Sequence, residues 1–202
     1  MIGGKHKLDE QQLQKLLIDR HVHYPLFVYE VIDSTNLEAF RLLNAVQDRC
    51  VIVLSKFQTQ GRGTHGRIWE DNRGQLNLSI GFKECILPEK LNEIRVLLNR
   101  YFCEKLIQLF HNPFYLKDPN DILWKDKKLS GMLLESKVEN DLTAVWVMGF
   151  GMNVYRTRHK LWSQAVQESA ISLQDILVDQ KIDINFLAAE FIQITLLQHP
   201  LS

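Results

Sequence analysis

The segment Gln58-Thr-Gln-Gly-Arg-Gly-Thr-His-Gly-Arg67 sets three glycines and two arginines directly behind the apolar run Val51-Ile-Val-Leu54. That order confines the fold. A short apolar run rich in β-branched residues reads as a buried strand. The glycines behind it let the backbone bend sharply and turn its N–H groups outward. Arg62 and Arg67 add permanent charge with planar donors suited to phosphate or carboxylate. A strand that runs into such a loop expects an anion. The loop is not a P-loop, because GxxxxGK followed by Ser or Thr is absent. Gly61, Gly63 and Gly66 match GxGxxG in spacing only, since Arg67-Ile-Trp-Glu-Asp-Asn does not read as a helix packing on a sheet.

Charge narrows the partners. Lys+Arg and Asp+Glu are equal at 24 each, which argues against nonspecific nucleic-acid or membrane-surface binding while leaving room for a local basic site. Cys50, Cys85 and Cys103 are odd in number, far apart and without metal-ligand spacing, so they read as buried or free thiols in a reducing compartment. No run approaches the roughly 20 apolar residues that span a bilayer. Met1-Ile-Gly-Gly-Lys-His-Lys7 lacks the apolar core of a signal peptide. The expectation is a cytoplasmic protein forming a single domain over 1–202.

Alternation and helical spacing predict the elements. Asp9 caps a first helix with Leu13, Leu16 and Leu17 inward. Leu26–Ile32 reads as a strand. Asp33-Ser-Thr-Asn36 opens a helix with Leu37, Phe40 and Leu43 or Asn44 on its inner face, and Thr35 with Glu38 predicts a capping box. Val51–Phe57 and Leu76–Phe82 read as strands. Leu91–Phe110 reads as a helix through Ile94, Leu97, Leu98, Tyr101 and Ile107. Ile122–Trp124, a Lys125–Lys127 turn and Leu129–Val138 read as a hairpin, with Leu142–Phe150 a further strand. Helices near Ser172–Leu177 and Ile184–Gln198 close the chain, with Ser172 and Asp183 as caps. Helices flanking a mostly antiparallel, mixed sheet make the class α+β.

Three more clusters carry chemistry. In Lys117-Asp-Pro-Asn-Asp121, Asn120 and Asp121 can hold a ribose, an amide or a hydrated metal ion, or form an ordinary polar turn. Lys127-Lys-Leu-Ser-Gly131 stands at a strand entrance, where a lysine neutralises a phosphate or a carboxylate, or is a solvated hairpin charge. Gly149-x-Gly151-x-Asn153 permits close approach of a ligand, or a strand exit.

Taken in order, Asp33–Asn36, Gln58–Trp69, Lys117–Asp121, Lys128–Glu135 and Gly149–Asn153 resemble the catalytic domain of biotin protein ligases, whose pattern runs Asp-Ser-Thr-Asn, Gln-Thr-x-Gly-Arg-Gly, Lys-Trp-Pro-Asn-Asp, Lys-x-x-Gly-Ile-Leu-x-Glu, Gly-x-Gly-x-Asn. The resemblance covers roughly residues 25 to 200, with the motifs in about 25–155 and C-terminal helices in about 170–198. It implies a class II synthetase-like biotin/lipoate ligase fold. It also implies an ATP-dependent ligase that makes biotinyl-5′-AMP and passes biotin to a lysine of a biotin carboxyl carrier domain of a biotin-dependent carboxylase, with Mg2+ arriving on the ATP phosphates. Alternatives of the same fold are a noncatalytic biotin or adenylate binder and a lipoate or octanoyl transferase.

By this resemblance Ser34, Thr35, Asn36 and Gln58 surround the biotin ring. Gly61, Arg62, Gly63, Thr64 and Gly131 wrap its carboxylate and the phosphate. Lys128 and Arg62 act as catalysts where carboxylate meets α-phosphate. Arg67, Trp69, Lys117, Asn120, Asp121 and Asn153 serve the nucleotide. The chain departs from the family at Thr64 and His65, where basic residues are common, at Asp118, where the motif has Trp, and at Asn77, where an aromatic is usual. The short N-terminus and the end at Ser202 are expected to leave out the DNA-binding and small β-barrel domains of longer members, so no DNA and no membrane are expected as partners. Members often form dimers, and no interface here decides for or against a homodimer.

Overall fold

The computed structural model of the chain describes residues 8–139, 142–155, 162–178 and 180–198. The Met1–Lys7 segment read above against a signal peptide lies outside them. Among the described residues seven strands form one sheet. They are β1 (Leu26–Tyr29), β2 (Cys50–Ser55), β3 (Gln75–Ile86), β4 (Phe114–Lys117), β5 (Asp121–Trp124), β6 (Lys127–Glu139) and β7 (Leu142–Asn153). Their order is β1-β2-β3-β7-β6-β5-β4. Only β1 and β2 run parallel; every other pair is antiparallel. The helices are α1 (Glu10–Ile18), α2 (Thr35–Ala45), α3 (Pro88–Phe110), α4 (Gln164–Ser169), α5 (Leu173–Ile176) and α6 (Ile184–Leu197). The molecule is thus α+β, with a mixed sheet flanked by helices.

The period of two along the central strands makes the two layers. In β2, Ile52 and Leu54 enter a large core with Leu98 and Phe102 of α3 and Phe191 of α6, while Val51 and Val53 enter a smaller one with Ala39, Phe40 and Leu43 of α2. Phe102, Phe150 and Phe191 meet in edge and tilted contacts with centroids 4.6 to 4.9 Å apart, a favoured ring geometry. Burial on both faces explains why β2 reads as a continuous apolar run. In β3, Leu76, Leu78 and Ile80 fill the large core, which turns Gln75, Asn77 and Ser79 to the α2 side. The register then builds a polar, small-residue strip on that side: Asn77 opposite Gly151, Gly151 opposite Gly131, and Gly131 opposite Asp121.

Several elements differ from expectation. β1 stops at Tyr29, because Ile32 leaves the sheet and makes an isolated bridge to Gln58. β2 ends at Ser55 rather than Phe57. The α2 cap is Ser34, not a Thr35–Glu38 box: Thr35 Oγ1 sits 2.7 Å from Ser79 Oγ and 3.1 Å from Gln58 Oε1, and Glu38 accepts from Tyr29 Oη and Arg41. A buried hydroxyl beside fixed amides has better partners there than a helix N–H. On α3 the buried face is Leu91, Ile94, Leu98, Phe102 and Leu106, and Leu97 and Ile107 point outward, 45% and 40% exposed. On α2, Asn44 is exposed. Strand β4 and helix α4, four and six residues long, are too short to carry a period. Among the described residues no helix is long and apolar enough to cross a membrane.

Candidate functional site

The bridge between Ile32 and Gln58 lays the Asp33–Asn36 segment beside the glycine loop. The loop closes on itself through Gly63 N to Arg67 O (2.8 Å) and Trp69 N to Gly61 O (2.9 Å). A single 3-10 turn, Thr64–Gly66, forms its tip, where His65 and Gly66 take φ of 57° and 72°. Glycine adopts that left-handed backbone freely and histidine at a cost. Two adjoining cavities open between this loop and the polar strip.

The first cavity is walled by Ser34, Thr35, Asn36, Gln58, Arg62, Gly63, Thr64, Lys128 and Gly131, with Trp69 and Asp121 at its far side. Its floor is a buried hydrogen-bonded lattice. Gln58 Oε1 accepts from Thr35 N (2.8 Å), Gln58 Nε2 donates to Asn77 Oδ1 (3.1 Å), and Asn77 Nδ2 donates to Asp71 Oδ2 (2.6 Å). Ser79 Oγ lies 2.6 Å from Asn36 Oδ1, and Asn36 Nδ2 donates to Glu135 Oε2 (2.9 Å). The strip needs glycine here: a Cβ on Gly149 would collide with the Asn36 carboxamide, and one on Gly151 would lie 2.7 Å from the Trp69 ring.

Two cations face this cavity, each with its own carboxylate. Arg62 NH2 is 2.7 Å from Glu135 Oε1, and Lys128 Nζ is 2.8 Å from Asp121 Oδ1. A β-bulge aims Lys128. Ile122 pairs with Ser130 but Leu123 pairs with Lys128, so Leu129 is an extra residue. Leu129 drops into the large core, and the phase reverses so that Lys128 reaches the opposite, polar side. Its carbonyl is held by Ile171 N (3.0 Å) and Asn153 Nδ2 (3.3 Å). At the entry to α2, Asp33 is kept below the usual carboxylate range by the Arg41 guanidinium, with help from Ser34 N–H against the effect of burial.

The second cavity shares Gly63, Thr64, Trp69 and Lys128 with the first and adds Arg67, Asn153 and the α4 residues Val166 and Ser169. Trp69 stands between them, with Lys128 Nζ 5.6 Å from its ring centroid and its own Nε1 donating to Gln75 Oε1 (3.0 Å). Gln75 Nε2 donates on to Asn153 Oδ1 (2.8 Å). Arg67 folds back on the loop, donating from Nε to Thr64 O (3.1 Å) and from NH2 to Thr64 Oγ1 (2.6 Å). A flat ring beside cationic and amide groups is the setting a heterocycle and its phosphates require.

Of the residues given a ligand role by the resemblance, three are not brought to either cavity wall. Lys117 is exposed at the end of β4. Asn120 Oδ1 accepts from Arg95, which also holds Pro119 O (2.8 Å), so this turn is tied to α3. Gly61 is buried against Trp69 behind the loop. Asp118 and His65 are exposed and line neither cavity. Sequence reasoning assigned no role to Asp71, Ser79, Gln75 or Glu135. The signal for three of them was present in the strict polar–apolar alternation of Gln75-Leu-Asn-Leu-Ser-Ile and in the motif ending at Glu135. Asp71 had none. Among the described residues no three His, Cys, Asp or Glu side chains gather as a metal site.

The profile of the biotin/lipoate A/B protein ligase family matches residues 28–153. The bifunctional ligase/repressor BirA of Bacillus subtilis is 28% identical over 155 residues, covering 76% of this chain and 48% of that protein. The biotin–acetyl-CoA-carboxylase ligase of Mycobacterium tuberculosis is 30% identical over 176 residues, covering 84% of this chain and 62% of that protein. The chain therefore spans about half to three-fifths of the length of these relatives. The biotin protein ligase of Aquifex aeolicus, solved with biotin and ATP, superposes with a TM-score of 0.66 at 26% identity, over 87% of this chain and 71% of that one. A family profile that matches a continuous 28–153 segment, and that takes in both cavities' strands and the glycine loop, establishes that the chain belongs to the biotin/lipoate A/B protein ligase family.

Proposed function

We propose that this chain is an ATP-dependent biotin protein ligase. A biotin carboxylate oxygen attacks the α-phosphorus of ATP, the bond to the β-phosphate oxygen breaks and pyrophosphate leaves. An acceptor lysine amine, from a biotin carboxyl carrier domain, then attacks the acyl carbon, and AMP leaves with the electron pair. The difficulty of the first step is electrostatic, because two anions must meet. Oriented positive charge in a water-poor cleft addresses this. The observation that carries the reading is that Arg62 and Lys128, from a loop and from a bulged strand far apart in sequence, face one cavity. Each is paired with a carboxylate that an anionic substrate can replace.

The amide- and hydroxyl-lined floor suits a ureido ring, and the cavity beside Trp69 suits the nucleotide. Asn153 and Arg67 lie on the nucleotide side, with Thr64 at the junction. Mg2+ enters this proposal on the triphosphate. An ion carried mainly by phosphate oxygens and water would meet two wall carboxylates, Asp121 in the first cavity and Glu70 in the second.

Biotin-dependent exchange of pyrophosphate into ATP tests the proposal. Wild type should exchange, and Lys128→Ala should lose about 10²-fold or more. One observation favours a noncatalytic binder: Lys117 and Asn120 stand away from both cavities. Wild type that binds biotin and gives no exchange would establish that second reading. A lipoate substrate would be revealed by competition against biotin, and the polar floor predicts that lipoate loses.

A further inference from the structure

We infer that Asp71 and Asn77 are positioning residues that make the ring subsite a surface of N–H donors, selecting a neutral ring carbonyl over a guanidinium ring. This deepens the biotin reading above and rests on it. The argument is one of hydrogen-bond direction. Asp71 is 3% exposed and three N–H groups converge on its two oxygens: Gln58 N (2.8 Å), Asn77 Nδ2 (2.6 Å) and Arg73 N (2.8 Å). A carboxylate in that setting only accepts. Asn77 must therefore turn its NH2 to Asp71 and its carbonyl to Gln58. Gln58 must turn its NH2 to Asn77 (3.1 Å) and its carbonyl to Thr35. At the other end the Thr35 backbone N–H can only donate (2.8 Å). With both ends fixed, neither amide can reverse without setting N–H against N–H or carbonyl against carboxylate, which is costly in a buried site.

A second chain ends at Glu135 and gives Asn36 the same sense. Asn36 Nδ2 donates to Glu135, so Asn36 Oδ1 can only accept; the single Ser79 proton goes to it, and Ser79 Oγ accepts in turn from the Thr35 hydroxyl 2.7 Å away. Both carboxamides that face the cavity thus turn their oxygens to protein donors, and each amino group has one N–H beyond its bond to the protein. Two inward N–H groups satisfy a ring carbonyl. They oppose a ring whose corresponding group is itself an N–H donor and carries charge. Asp71 and Asn77 touch no ligand in this account and act through Gln58.

Titration calorimetry of the full chain with biotin and with 2-iminobiotin, whose ring is a guanidinium at neutral pH, tests this. Wild type should bind biotin at least about 100-fold more tightly. Asp71→Asn should lower that ratio at least tenfold, with the loss falling on biotin and ATP affinity changing less than threefold. Asn77→Leu, which keeps volume and removes the relay, should do the same. Thermal unfolding of each variant identifies those that remain folded. Folded variants with the wild-type ratio, or with biotin and ATP affinity falling together, would overturn the inference. Where neither variant folds, the wild-type ratio decides, and binding of both rings within tenfold overturns it. Pyrophosphate exchange separates the two claims. Biotin bound without exchange defeats only the ligase reading, and binding of neither ring defeats this inference too.

Discussion

Thr64 stands where the resemblance leads one to expect a basic residue, and its geometry gives that difference a consequence. Its hydroxyl accepts from Arg67 NH2 and its carbonyl from Arg67 Nε. The second loop cation is therefore turned back on the loop itself, and Arg62 is the loop cation that lines the first cavity. A mixed anhydride between acid and nucleotide would be retained by fewer charge-assisted contacts than a loop with arginine at this position provides. Thr64→Arg adds such a donor and also frees Arg67. One hydrogen bond to a charged group contributes about 1.5–3 kcal/mol, so release of biotinyl-AMP should slow about tenfold or more. The measurement is the dissociation rate of preformed intermediate chased with unlabelled ligand. An unchanged or faster rate in Thr64→Arg would show that the loop retains the intermediate by other means. Gly149 makes the complementary point about space: its missing Cβ is where the Asn36 carboxamide sits.

Helices on the face away from the site are joined through one carboxylate. Glu190 of α6 accepts from Arg20 NH2 (2.7 Å), just past α1, and pairs with Lys105 Nζ of α3 (3.1 Å). Burial alone would raise its pKa, but the Arg20 and Lys105 contacts outweigh it and hold the carboxyl below its ordinary range. A carboxyl whose folded value is depressed contributes stability that is complete above the unfolded value, near 4.3, and is lost as pH falls through the folded value. Glu190→Gln should therefore cost about 2 kcal/mol at pH 7, roughly 4–8 °C in Tm for a chain of this size. The gap should close toward pH 3 at matched ionic strength, and an equal gap at both pH values would refute the linkage. This tie was not legible in sequence, because Arg20, Lys105 and Glu190 share no motif and no period. Elements with a clear local signal were legible: β3 through alternation, β7 as an apolar run, α6 through Asp183, which accepts from Asn185 N and Phe186 N. The bulge at Leu129 was not, since it shows only against a paired strand. Nor was the outward turn of Leu97 and Ile107 on α3, since apolar residues on two sides of one helix leave the buried side to be chosen by its neighbours.

At the scale of the whole molecule, the ordered motifs of the candidate site were legible because each lies at a strand end, a loop or a helix entry where local chemistry shows. Their convergence was not, because the distance from Arg62 to Glu135 or from Gln75 to Asn153 is set by sheet order. The same sheet order links the cysteines. Cys50 lies in β2 and Cys103 in α3, and both belong to one continuous core with 1% and 4% exposure. Burial raises both thiols, Cys103 to about 11, with Glu104 adding to the effect there. Cys85 is exposed near the end of β3. Only a thiolate in contact with solvent reacts readily, so iodoacetamide at pH 8 should label Cys85 in the native protein and spare the other two. The large core joins α3 to β7 through Phe102 and Phe150 and takes in Ile52 and Leu54 of β2, so the layers should come apart together. With rising denaturant, Cys50 and Cys103 should become reactive over the same concentration range, coincident with loss of near-ultraviolet circular dichroism. Peptide mapping by mass spectrometry reads the three sites separately. If Cys103 reacted as fast as Cys85 in native buffer, or well before Cys50 in denaturant, α3 would be a separately opening layer, and the single core would not be the cooperative unit of this fold.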